Sequence, residues 1–270
     1  MGIYDRDYYR DAPGRGGFGT FSRGSVTTWL IVLNVGVFLI DALLQQQRLQ
    51  SLDPEILQNP AYRRYASQLI PGPMEQWGYF SAVTAIQEWQ VWRFFTFQFL
   101  HANLLHLLSN MVSLYLFGPI VENYLGWRRY VGFYLLCGCS GAAAYVLLLM
   151  FGVLQGAHVP LVGASAGIFG VLVAGAILAP NVTIMLLFPP VPIQLKYMAM
   201  ILVGWAAYVA FTNGQNAGGQ AAHLGGAILG YALIRHPQAL RMFERWGGGG
   251  GTRGGRRRPG VTDWSKNPDR

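Results

Sequence analysis

Charge is what this chain of 270 residues has least of. Asp, Glu, Lys and Arg together make up 12% of it, roughly half the share found in an ordinary soluble domain. That is too little charge to cover a globule of this size in water, which excludes a soluble cytosolic enzyme. Hydrophobic residues at 52% exclude a disordered chain as well. Cysteine is nearly absent: Cys137 and Cys139 stand two residues apart inside an apolar run. They are too close in sequence for a relaxed disulfide and read as small packing residues. No His is followed by Glu, so there is no H-E-x-x-H zinc-protease helix. Only Asp41 and Glu122 lie near the long apolar runs, both close to run ends, which leaves no pair of carboxylates at membrane depth. A site built from His101, His106 and His223 lacks an acidic or thiolate ligand, so neither a metal nor a cofactor is expected.

What is present is apolar sequence in lengths that cross a bilayer. Mean hydropathy is +0.29. The 35 glycines suit the close helix contacts that membrane proteins use. Six spans are expected: Val26–Leu44, Asn103–Tyr124, Tyr130–Leu154, Leu161–Ala179, Lys196–Phe211 and Ala221–Ile234. The fold class is therefore all-α, a polytopic bundle of six transmembrane helices. Residues 1–24 read as a polar N-terminal tail without the pattern of a cleaved signal peptide. Residues 25–236 read as the membrane domain, with a long aromatic first loop over 45–100. Residues 237–270 read as a basic, Gly/Arg-rich tail expected to be disordered.

The net charge of +8 is uneven: nine Lys/Arg from Arg235 onward face only Glu244, Asp263 and Asp269. Such a tail fits an anionic membrane surface and not a nucleic acid. Arg10, Arg15 and Arg23 precede the first span, Arg128 and Arg129 join the second to the third, and Arg235, Arg241 and Arg245 follow the sixth. An even number of spans puts all three groups on one face. The positive-inside rule makes that face cytoplasmic, so both termini are expected inside, in a plasma (inner) membrane.

Polar side chains within spans are costly and mark function. His106 and Asn110 are four apart and share a helical face. Ser165 stands alone among Gly163, Gly167 and Gly170 in the fourth span, and His223 stands alone in the sixth beside Gly226. A lone Ser in a span ordinarily bonds a backbone carbonyl, and a lone His ordinarily bonds a neighbouring helix. Here the small residues thin both helices enough for a hydroxyl on one to reach an imidazole on the other. A Ser hydroxyl becomes nucleophilic when a base accepts its proton, and His106 with the Asn110 amide could bind the oxyanion that forms. The sixth span is expected to present Gly226 to the fourth, with Gly225 turned about 100° away and more tolerant of bulk. A His-lined channel or transporter is the competing reading from another class; the absence of an internal repeat counts against it.

Taken in order, these pieces resemble the rhomboid family of intramembrane serine proteases. The matching residues are Trp92-Arg93, His101, His106 with Asn110, Glu122 within Gly118–Gly126, Gly163-Ala164-Ser165, and Ala222-His223 with Gly226. The resemblance covers roughly residues 25–236. It implies that Ser165 is the nucleophile and His223 the general base, a dyad without a carboxylate. It also implies that His106, Asn110 and the Ser165 N–H form the oxyanion hole, that Phe169 packs on His223, and that His101, Gly163 and Gly226 support the site. Trp92, Arg93 and Glu122 are implied to be structural. Implied substrates are transmembrane proteins in the lipid bilayer. One departure stands out: Ala166 follows the Ser where the family usually has Gly. A catalytically inactive rhomboid-like protein that only binds transmembrane segments is the alternative this raises.

Overall fold

The computed structural model describes residues 24–51, 70–185 and 190–245. The basic groups Arg10, Arg15, Arg23, Arg63, Arg64 and Arg256–Arg258 lie outside the described residues, as does most of the expected C-terminal tail. Among the described residues there are six long helices: α1 (Val26–Gln50), α2 (Leu104–Leu125), α3 (Trp127–Met150), α4 (Ser165–Leu178), α5 (Leu195–Phe211) and α6 (Ala217–Arg235). The first three are long and apolar enough to cross a membrane, and α4 and α5 are shorter apolar helices. The chain is a mostly helical integral membrane protein, and its six long helices are consistent with six spans. Large apolar side chains such as Trp29, Leu105, Met150, Ile201 and Ile228 are exposed on its outside, as lipid-facing residues are.

Helix starts follow local chemistry. Ser25 caps α1, its side chain accepting from the Thr28 N–H. Asn103 caps α2 by accepting from the His106 N–H at 2.9 Å, which ties the backbone of His106 to the mouth of its helix. The start of α1 and the end of α2 are joined by Glu122. Its carboxylate accepts from the Val26 and Thr27 N–H groups at 2.7 and 2.9 Å and from the Ser25 and Thr27 hydroxyls. A carboxylate on the orphan N–H groups of a helix N-terminus satisfies donors and dipole together.

The fourth span begins later than the sequence suggests. Residues 161–163 are not helical, because Leu161 bridges Phe80 through both backbone groups and the Gly163 N–H donates to Phe97 O at 2.9 Å. Gly163 also has φ +130°, a conformation that stops a helix and favours glycine. What remains of α4 is 14 residues, about 21 Å at 1.5 Å per residue, short of a roughly 30 Å hydrocarbon core. Such a helix is too short to cross the core by itself, and Ser165 is its first residue. Between α4 and α5 the chain makes a two-stranded antiparallel hairpin, Thr183–Met185 against Pro192–Gln194.

The interior is built around α4, which packs against α2, α3, α5 and α6. A main core joins Leu114, Val121, Phe133, Tyr134 and Val171. A smaller one joins Phe80 and Phe97 of the first loop to Tyr145, Ala166 and Ala222. Contact of α4 with α6 is backbone on backbone: a Cβ on Gly226 would overlap the Ala166 carbonyl, and one on Gly230 would meet the Gly170 backbone. Gly225 does turn away from α4, but not into open space. A Cβ there would strike Ser140 O and the Ala144 methyl of α3, so Gly225 is a close contact as well, with α3 in place of α4: α6 is wedged between two helices.

The first nine residues of the expected tail are folded. Pro237–Arg245 forms a 3₁₀ helix with Leu240 fully buried and Phe243 against Gly132 of α3. Glu244 pairs with Arg129, and its carbonyl accepts from Arg128. These contacts put the α2–α3 turn and the end of α6 at one end of the bundle, with the start of α1 joined to them through Glu122.

Candidate active site

Ser165 and His223 meet. Ser165 Oγ lies 2.8 Å from His223 Nε2, a hydrogen bond between the first residue of α4 and the second turn of α6. The glycine contacts one turn further along, at Gly226 and Gly170, are what bring the two backbones this close. Phe169 stacks on the His223 ring, centroids 4.1 Å apart and planes 9° from parallel, which fixes the plane of the imidazole. The other ring nitrogen, Nδ1, is 2.9 Å from the side-chain oxygen of Gln220, one turn earlier on α6.

His106 reaches the same place from α2. A Cβ on Gly163 would come within 2.8 Å of its Nε2 and Cε1, and within 3.5 Å of Ser165 Oγ. The empty side of Gly163 is thus the space the imidazole uses. Asn110 is buried one turn below, with one amide hydrogen donated to His106 O at 3.0 Å. An amide has a second hydrogen, and Asn110 lines the cavity next to Ser165. The Ser165 N–H, in the first turn of α4, has no partner within its helix. Ser165, His223, His106 and Asn110 therefore surround one cavity of about 580 Å³, whose wall also includes Ser109, Ser113 and Asn216. This arrangement can move a proton from Oγ to an imidazole and hold an anion beside it.

The remaining expected residues sit around this group. His101 is buried with its ring edge-on to His106, centroids 5.1 Å apart. Burial, with His106 beside it, pushes the His101 imidazole down to about 3, so it packs against His106 as a neutral ring. Trp92 and Arg93 are in the first loop, away from Ser165. Trp92 stacks on Trp77 and donates to its carbonyl, while Arg93 donates to Tyr79 O at 2.6 Å and Gln76 O at 3.2 Å. They fold the loop that, through Phe97 and Phe80, grips residues 161–163. Glu122 is at the far end of α2.

Ala166, the departure from the expected pattern, is 1% exposed. Its methyl packs toward Gly141 of α3, in the small core shared with Ala222, and it is not part of the cavity wall. Among the described residues, no group of three or more His, Cys, Asp or Glu could hold a metal ion. Gln220 escaped the sequence reading, although a polar residue three before His223 on one helix must share its face.

The Rhomboid domain family model matches residues 88–236. This chain belongs to the rhomboid family. The matched segment runs from the aromatic part of the first loop to the end of α6 and contains every residue of the cavity described above. Among curated rhomboid relatives, RHOMBOID-like protein 7 of Arabidopsis thaliana is 28% identical over 66% of this chain and 55% of its own length. RHOMBOID-like protein 6, mitochondrial, of the same plant is 25% identical over 79% of the chain and 71% of the relative. The presenilin-associated rhomboid-like protein, mitochondrial, of Rattus norvegicus is 30% identical over 54% of the chain and 38% of the relative. The rhomboid chain spans about half the length of several of the curated relatives it matches.

Proposed function

We propose that this rhomboid protein is an intramembrane serine endopeptidase that cuts peptide bonds in or near transmembrane segments of other membrane proteins. The observation that carries the reading is the 2.8 Å bond between Ser165 Oγ and His223 Nε2 beside a polar cavity. In the proposed reaction His223 Nε2 takes the hydroxyl proton as Oγ attacks the scissile carbonyl carbon. The carbonyl oxygen becomes an oxyanion, held by the Ser165 N–H, His106 and the free amide hydrogen of Asn110. His223 then gives its proton to the leaving amine, and the C–N bond breaks to leave an acyl ester on Ser165. Water, deprotonated by His223, attacks that ester; the C–Oγ bond breaks as His223 returns the proton to Ser165 Oγ, and the second product leaves as a carboxylic acid. Both termini face the cytoplasm of a plasma (inner) membrane in this reading, with Arg128, Arg129 and Arg235 at the inner end. A fluorophosphonate or isocoumarin probe should label the purified protein in detergent and lose its target in Ser165→Ala. Persistent labelling after that change would place the nucleophile elsewhere.

Asn110→Ala should lower kcat by roughly 10- to 1,000-fold, the upper part of that range matching the loss of about 100- to 1,000-fold on removal of one oxyanion donor, with the protein still folded. The upper figure follows if the second amide hydrogen is a main donor, the lower if His106 and the Ser165 N–H carry the charge. A variant with unchanged kcat removes Asn110 from the mechanism.

An inactive, binding-only protein was raised by Ala166, whose methyl would have to crowd the nucleophile. Since that methyl packs against α3 and away from the cavity, Ala166→Gly should lower thermal stability by about 0.5–1 kcal/mol through backbone freedom alone and should not raise kcat. Cleavage that appears only in Ala166→Gly would favour the inactive reading.

A further inference from the structure

We propose that Gln220 is a positioning residue for His223: its side-chain oxygen holds the imidazole in the one neutral tautomer whose Nε2 can accept the Ser165 proton. The consequence for catalysis rests on the protease reading above, but the geometry does not. A neutral imidazole has one donor nitrogen and one acceptor nitrogen, and the hydrogen bond made by one decides the role of the other. Gln220 Oε1 has no hydrogen to give, so at 2.9 Å it requires the proton on Nδ1. Nε2 then carries the lone pair, and at 2.8 Å the Ser165 hydroxyl donates to it. With the proton on Nε2 the direction reverses: the ring donates to Oγ, and no base is present.

Among the described residues, no other side chain is hydrogen-bonded to His223 Nδ1. Phe169 fixes the ring plane, but stacking is the same for either tautomer. His106 and Gly163 border the Ser165 side of the pair. Gln220 is well placed to decide. Its own N–H bonds Asn216 O at 3.0 Å in the opening turn of α6, and a residue at i, i+3 from His223 lies on the same face. The role matches that of the third residue in Ser-His-Asp sites, with one difference. A neutral amide selects the tautomer without adding a charge at membrane depth, where a lone carboxylate is expensive.

The test is read on the resting protein by nitrogen-15 NMR of labelled histidine, with the His223 signal identified by its loss in His223→Ala. Proton on Nδ1 and none on Nε2 is expected in the unaltered chain. Gln220→Leu should shift the population toward Nε2–H and slow probe labelling of Ser165 by roughly 10- to 100-fold, the usual effect of losing such a partner, with little change in melting temperature. Gln220→Glu, of the same shape and also an acceptor, should keep the Nδ1–H form and recover most of the labelling rate. The inference is overturned if His223 carries its proton on Nε2 in the unaltered chain. It is equally overturned if Gln220→Leu leaves both the tautomer and the labelling rate unchanged. An unaltered chain that labels no serine would defeat the protease reading, and the tautomer signal would still decide this one.

Discussion

Ser165→Ala and His223→Ala are each expected to abolish cleavage of a model transmembrane substrate, and the double variant is expected to be no slower than either single one. A hydroxyl without a base is a poor nucleophile, and a base without the hydroxyl has nothing to activate. The two side chains make one hydrogen-bonded unit at 2.8 Å, so removing either removes the whole function. Groups that act as a unit show this gross non-additivity, with single losses on the order of 10⁶ in kcat where such sites have been dissected. The cavity donors remain, so binding of a transmembrane segment should survive in both variants. Three rates measured side by side, with substrate binding as the control, check the expectation. Appreciable turnover by Ser165→Ala would end the assignment. A double variant slower than both singles by the product of their effects would mean that the residues act separately.

The membrane depth of the polar residues made this site legible. His106, Asn110, Ser165 and His223 stand out in sequence because each is costly in a span, and all four line the same cavity. The small residues beside them announced the α4–α6 contact for a related reason: only glycine leaves room for backbones to touch. What stayed hidden depends on neighbours distant in sequence. Residues 161–163 are apolar enough to be helical, and are not, because Phe80 and Phe97 of the first loop take backbone groups of Leu161 and Gly163. A helical wheel shows which way Gly225 points but not that α3 waits there. Motif comparison marks Ala166 as a departure but not the direction of its methyl. The charged stretch after Arg235 reads as tail, yet Leu240, Phe243 and Glu244 find partners on the bundle.

The same packing makes the glycines of α6 the most sensitive positions outside the dyad. Gly226→Ala, a single added methyl, is expected to lower the melting temperature strongly and remove activity. The obstacle is the Ala166 carbonyl, which is backbone inside α4 and cannot rotate aside as a side chain would. Overpacking ordinarily costs about 1–3 kcal/mol when side chains can give, and here the helices themselves must separate. Separation acts directly on the site, because Ser165 is one residue before Ala166 and His223 one turn before Gly226, so the 2.8 Å bond opens as the backbones part. Gly225→Ala should be damaging too, through Ser140 O and Ala144 of α3, but by displacing α3 it should spare the Ser165–His223 distance and reduce stability more than kcat. Gly204 of α5 and Gly36 of α1 have nothing within 4 Å of an added Cβ. Alanine at either should leave activity unchanged and, since glycine weakens a helix interior by roughly 0.5–1 kcal/mol, should hold or raise the melting temperature. Thermal melts and probe labelling of the four variants separate these cases. Gly226→Ala melting and labelling like Gly204→Ala would mean that α4 and α6 do not touch as described, and the placement of Ser165 against His223 would fall with that contact.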